Sequence, residues 1–209
     1  MRNLLFSSLV FLASAAHSGE DGTIMVFGDS LSAGYGIDID QSWTHLLQLR
    51  LQNEGYEYTV VNASISGDTT ESGAARIGPA LEKFAPTLVI LELGGNDGLR
   101  GIPLERMQDN LLSIVNQSKA AGAAVILLGI RIPTNYGPRY TEAFEAVFRD
   151  IATQTETPWI EFFIEGVALR PELMQDDGIH PTAEAQPVLL DNAWPIILQA
   201  LRLPDDTGS

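Results

Sequence analysis

Five short apolar runs punctuate the chain: Thr23 to Phe27, Tyr58 to Val61, Leu88 to Leu93, Ala123 to Ile130 and Trp159 to Phe163. Each is too short for a stable helix, and the first three stop at Gly28, Asn62 and Gly94. Runs of this kind predict strands buried on both faces. Between them the pattern changes to a helical period. Ser42 to Asn53 predicts a helix with Ser42 as its N-cap and Gly55 just beyond its end. Thr69 to Ile77 predicts a short one. In Pro103 to Ala121, Met107, Leu111, Ile114, Val115 and Ser118 share one face, and Pro103 suits a first turn. In Arg139 to Thr153 the buried face is Phe144, Val147, Phe148 and Ile151. Thr182 to Leu203 predicts a last helix, with Pro187 in its first turn and Pro195 kinking or breaking it.

Regular strand–helix alternation implies a mostly parallel sheet with helices on both faces. Ligands of such sheets gather at the carboxyl ends of the strands. The segments richest in chemistry fall there: Gly28-Asp29-Ser30, Ala63 to Asp68, Gly94 to Asp97, the loop Arg131 to Pro138, and the turn Asp177-Gly178-Ile179-His180.

The 209 residues suit one domain, and 45% hydrophobic content supplies a core. A net charge of −15 argues against nucleic acid or an anionic membrane surface as partner. With no cysteine, disulfides, thiolate nucleophiles and thiolate metal sites are excluded. Residues 1–18 predict an export signal: Arg2 supplies the charge, Leu4 to Leu12 the apolar stretch, and cleavage follows Ala15 or Ser18. The domain proper then spans 19–209, placed in the periplasm or outside the cell. The apolar stretch falls short of the ~20 residues a membrane anchor needs.

Export would remove His17 and leave His45 and His180. A hydroxyl nucleophile needs a base, most often histidine, and the base needs an orienting group. His180 has Asp177 three residues upstream, with Asp176 as a rival. Ser30 is the matching hydroxyl, on a turn that Gly28 lets leave the strand sharply. Its side chain could equally cap a helix, and the Asp177–His180 turn could merely begin the last helix. Asn96 and the backbone N–H groups of Gly67 and Ser30 can serve an oxyanion, although both glycine loops also suit plain turns. His45, on an amphipathic helix without an acidic partner, reads as surface or packing. Asp29 reads as a cap for the turn. No metal motif and no phosphate-binding glycine fingerprint occurs.

Together Gly28-Asp29-Ser30-Leu31-Ser32, Ser66-Gly67-Asp68, Gly94-Gly95-Asn96-Asp97 and Asp177-Gly178-Ile179-His180 resemble the blocks of the GDSL, or SGNH, hydrolases. Val61 to Thr69, Leu91 to Gly101, Asn135-Tyr136-Gly137 and Met174 to Pro181 are similar to their bacterial thioesterase I/lysophospholipase/arylesterase subgroup. The resemblance implies a flavodoxin-like three-layer α/β/α sandwich around a five-stranded parallel sheet. It implies a catalytic triad of Ser30, Asp177 and His180, an oxyanion hole of Ser30, Gly67 and Asn96, and acyl contacts at Leu99, Ile102 and Tyr136. Asp177 rather than Asp176 is then the acid. The implied substrates are small carboxylic esters, acyl thioesters and lysophospholipids, cleaved by a monomer without cofactor, metal or stable membrane anchoring. A carbohydrate O-acetylesterase of the same fold is the alternative. A flavin-binding or other non-catalytic module is more remote, since no Thr/Ser-rich phosphate loop follows the first strand.

Overall fold

The computed structural model describes residues 22–202; the predicted export signal at 1–18 lies outside them. The strands are β1 (Gly22–Gly28), β2 (Tyr58–Asn62), β3 (Leu88–Glu92), β4 (Ala124–Leu128) and β5 (Trp159–Ile160). They form one parallel sheet in the order β2-β1-β3-β4-β5. The helices are α1 (Ser30–Ala33), α2 (Trp43–Asn53), α3 (Thr70–Phe84), α4 (Gly95–Arg100), α5 (Leu104–Ala120), α6 (Pro138–Thr155) and α7 (Gln186–Arg202).

Alternation along each strand divides the core. Ile24 and Val26 of β1, Ile90 of β3 and Leu128 of β4 pack with Trp43, Leu47 and Leu51 of α2 and Leu189 and Ile197 of α7. Their neighbours Met25, Phe27, Val89, Leu91 and Leu127 pack with Ile77 of α3, Leu111 and Ile114 of α5, and Phe144 and Phe148 of α6. These side chains are fully buried, each worth ~1.5–3 kcal/mol of transfer free energy. The three-layer sandwich follows from the two-sided strands.

Four elements depart from the sequence expectation. First, α3 runs to Phe84 rather than Ile77, passing through Pro79. Second, α7 continues through Pro195 without a break. A proline inside a helix frees the carbonyl four residues earlier. Pro79 and Ala75 are exposed, as are Pro195 and Asp191, so water can take the freed carbonyls on the solvent face. Third, Gly95 to Arg100 forms the helix α4 instead of a turn and loop. β5 is also shorter than its apolar run, because Leu127 and Leu128 are the only β4 residues it pairs with.

Chain order reverses between β1 and β3, since β1 leads outward to β2 while β3 leads to β4 and β5. Such a switch point opens a crevice at the strand ends. Ser30 follows β1 and Asn96 follows β3, so the fold carries both to that crevice.

Candidate functional site

Beyond Gly28 the chain leaves the sheet at once. A Cβ at residue 28 would lie 2.6 Å from Glu92 Oε2 and 2.8 Å from its carbonyl, so only glycine fits. Asp29 then caps α1: its Oδ1 accepts the Leu31 N–H at 3.1 Å. Ser30 is the first residue of that helix. Ser32, one residue past Leu31, donates its hydroxyl to Glu92 Oε2 at 2.7 Å, and the Asp29 N–H reaches the same oxygen at 3.4 Å. Glu92, wholly buried at the end of β3, thus holds the turn from below.

Arg76 of α3 ties this turn to the loop after β2. Its guanidinium donates to Gly28 O at 3.2 Å, Ala63 O at 2.6 Å and Asp68 Oδ2 at 2.6 Å, and lies 3.7 Å from the Phe27 ring centre. Asp97 of α4 binds the start of α3, accepting the Thr70 N–H at 2.9 Å and its hydroxyl at 2.6 Å. Gly67 lies between these ties, in a left-handed conformation with φ 85°. One Arg100 nitrogen donates to both Gly67 O, at 3.0 Å, and Asn96 Oδ1, at 3.3 Å. The Asn96 amide nitrogen donates to Asp29 Oδ2 at 3.1 Å. Asn96, Gly67 and Ser30 therefore belong to one hydrogen-bonded frame.

His180 arrives from the far end of the sequence. Its Nε2 lies 2.9 Å from Ser30 Oγ. Its Nδ1 lies 2.6 Å from Asp177 Oδ2, while Asp177 Oδ1 accepts the Ile179 and His180 N–H groups at 2.9 and 3.0 Å. Asp177, not Asp176, faces the imidazole. The Tyr35 ring leans on His180 with centroids 4.3 Å apart. Hydroxyl, imidazole and carboxylate thus stand in line, an arrangement that can pass a proton from oxygen to nitrogen.

The carboxyls divide sharply. Burial raises Asp29 to about 6, against its hydrogen bonds from Leu31 and Asn96 and the attraction of His180. Burial, then the Asp29 charge, pushes Glu92 well above the ordinary range. Burial also raises Asp97. Asp177 goes the other way, held at about 2 chiefly by the hydrogen bond from His180.

Leu99 is half-buried on α4, Ile102 follows it, and Tyr136 donates its hydroxyl to Leu99 O at 2.9 Å. That bond joins the loop after β4 to the end of α4. Tyr35, which leans on His180, and Ile179, which precedes it, are exposed side chains, as is Ile65. His45 is exposed on α2. Among the described residues, no cluster of three or more His, Cys, Asp or Glu could hold a metal ion.

Sequence reasoning missed Glu92, Arg76, Tyr35 and Gln175 as parts of this site. Glu92 carries a usable signal, a lone carboxylate inside the apolar run L-V-I-L-E-L. Arg76 carries none, because its partners lie 48, 13 and 8 residues away.

The GDSL-like Lipase/Acylhydrolase family model matches residues 26–187. Esterase TesA of Pseudomonas aeruginosa is 50% identical over 197 residues, covering 94% of this chain and 98% of its own. Thioesterase 1/protease 1/lysophospholipase L1 of Escherichia coli is 44% identical over 189 residues, 90% of this chain and 88% of its own. The crystal structure of the psychrotrophic esterase EstA from Pseudoalteromonas sp., inhibited by monoethylphosphonate, superposes with a TM-score of 0.84. It is 42% identical and covers 88% of this chain and 100% of its own. By family match, by identity across nearly its whole length and by fold, the chain belongs to the GDSL-like lipase/acylhydrolase family.

Proposed function

We propose that the chain is an exported serine hydrolase that cleaves carboxylic esters and acyl thioesters, lysophospholipids among them, through an acyl-enzyme on Ser30. The observation that carries this reading is the pair of contacts on one imidazole, 2.9 Å to Ser30 Oγ and 2.6 Å to Asp177 Oδ2. His180 Nε2 takes the hydroxyl proton as Oγ bonds to the substrate carbonyl carbon, and Asp177 steadies the imidazolium. Asp177 is far too acidic at neutral pH to take that proton itself. The carbonyl oxygen, now an anion, accepts hydrogen bonds from the Ser30 and Gly67 N–H groups and the second N–H of Asn96. His180 protonates the leaving alcohol or thiol as its bond to carbon breaks. Water, deprotonated by His180, then attacks the acyl-enzyme and frees the acid and Ser30.

The acyl chain lies against Leu99, Ile102 and Tyr136. Relatives bearing the names esterase, thioesterase and lysophospholipase support this substrate range. Among the described residues no helix is long and apolar enough to cross a membrane. Export rests on the pattern of residues 1–18.

The decisive experiment is Ser30→Ala with p-nitrophenyl butyrate as substrate, beside fluorophosphonate labelling of the parent enzyme. Turnover vanishes in a folded variant, and the label maps to Ser30; turnover at the parent rate ends the serine reading. A chain-length series on p-nitrophenyl esters, extended to acyl-CoA and lysophospholipid, defines the range. Strong preference for acetyl over octanoyl shifts the reading to a carbohydrate O-acetylesterase.

A further inference from the structure

Ser30 and His180 stand 150 residues apart in sequence, on segments from opposite ends of the domain. Their own hydrogen bond cannot by itself hold them in register, because the reaction breaks and remakes it. The Tyr35–His180 ring contact has no directional bond. Another link does. The side-chain amide nitrogen of Gln175 carries two N–H groups. One donates to Tyr35 O at 2.8 Å and the other to Pro181 O at 2.9 Å. Tyr35 in turn donates its backbone N–H to Ser30 O at 3.3 Å. On the other side, the Gln175 N–H donates to His180 O at 2.7 Å, and Gln175 O accepts the Gly178 N–H at 2.9 Å. An antiparallel bridge between Met174 and Pro181 closes the same loop.

We infer that Gln175 is a positioning residue, a strap that sets the distance between Ser30 and His180 by spending one amide N–H on each segment. The residue type fits the task. Both partners are carbonyls, so the strap must donate twice from one atom, which Gln does and Glu cannot. Asn would be one methylene too short. Space for the amide exists because residue 36 is glycine: a Cβ there would lie 2.3 Å from Gln175 Oε1. A misplacement of about 1 Å between reacting groups can cost on the order of 100-fold in rate.

The inference rests on Ser30 and His180 being nucleophile and base. Gln175→Met keeps the length and removes both donors. Gly36→Ala pushes the amide aside and leaves Gln175 and the triad chemically unchanged, while at φ 75° it also strains its own turn. In each, kcat/KM for p-nitrophenyl butyrate and the rate of fluorophosphonate labelling fall together, roughly tenfold to 100-fold. Inhibition by octanoate stays within about twofold in both, and the melting temperature of Gln175→Met stays near that of the parent. The downfield proton resonance of the Asp177–His180 hydrogen bond broadens or shifts.

Parent rates in a folded Gln175→Met enzyme overturn the strap. So does a loss of octanoate affinity that matches the loss of rate, since that marks general collapse of the site. If Gln175→Met does not fold, Gly36→Ala is judged by the same measurements. Ser30→Ala, run in parallel, separates the two levels. An inactive Ser30→Ala beside a fully active Gln175→Met removes the strap and leaves the serine mechanism. An active Ser30→Ala removes both.

Discussion

Two aspartates stand near the Ser30–His180 pair, one beside Ser30 in sequence and one bonded to the imidazole, and the protein treats them in opposite ways. Asp29 is buried, with 2% of its surface exposed, among strand ends and helix starts. Its carboxyl is pushed up to about 6 by burial. Asp177 lies on an exposed turn and is held at about 2 by hydrogen bonds. The first belongs to a shelf of fixed donors built at the end of β1 and β3. The second belongs to an arm that brings an imidazole over that shelf. Donors for an oxyanion work best preorganised and shielded from water. The base hands the serine proton to the leaving group and must then meet an incoming water, so it gains from an open position. The split between shelf and arm follows that division of labour.

Breaking the arm should cost most. Asp177→Asn keeps the side-chain shape but removes the negative charge opposite His180 and disfavours the reactive tautomer. In a buried triad the same change lowers kcat by roughly 10⁴. Here the Asp177 side chain is 39% exposed, so water partly replaces the lost charge. The expected loss is roughly 10²- to 10⁴-fold in kcat, with little effect on KM. Asp176→Asn serves as the control. Equal losses in both variants would undo the assignment of Asp177 as orienting acid.

Damage to the shelf should come next. Asn96→Ala removes one oxyanion donor, worth ~2.7–4 kcal/mol in the chemical step. It also strips Asp29 of a hydrogen bond and Arg100 of an acceptor, so some stability goes too. A loss below about tenfold in kcat would take Asn96 out of the oxyanion hole. Asn96→Ala should spare the downfield proton of the arm, whereas Asp177→Asn removes it.

The same division explains what could be read from the sequence. The arm was legible residue by residue, because Asp177 and His180 are local to each other and only two histidines follow the predicted signal. The sheet was legible because its strands are short and apolar, the first three ending at glycine or asparagine. The place of Ser30 against His180 was legible through its motif, yet the supports of the shelf were not. Glu92 shows itself only as a misplaced charge, and Arg76 and Gln175 reach mostly backbone carbonyls, which carry no residue type. Their partners were settled by tertiary folding. Pro79 and Pro195 misled for a related reason. A proline disrupts a helix through the carbonyl it frees, and here both carbonyls face water.

The smallest effect separates the two aspartates by sign. Asp29 binds its proton more tightly when folded, at about 6 against an unfolded value of 3.8. Its contribution is therefore fully present below pH 3.8 and is lost as pH rises to about 6, at most about 3 kcal/mol. Glu92, raised by the same burial, acts in the same direction. Asp177 releases its proton more easily when folded, so its contribution is present above pH 3.8 and is lost as pH falls toward about 2. Its exposure makes that contribution modest. Urea unfolding from pH 4 to 7 should show Asp29→Asn losing part of the parent's downward slope between pH 4 and 6. Asp177→Asn should keep that slope, lie modestly below the parent across pH 4 to 7, and converge with it only as pH falls toward about 2. Asp29→Asn is read by its slope and not by its absolute stability, since its new amide would face the Asn96 N–H that now donates to Asp29. A parent-like slope in Asp29→Asn would mean that the buried carboxyl keeps its ordinary acidity, and the contrast between shelf and arm would lose its electrostatic half.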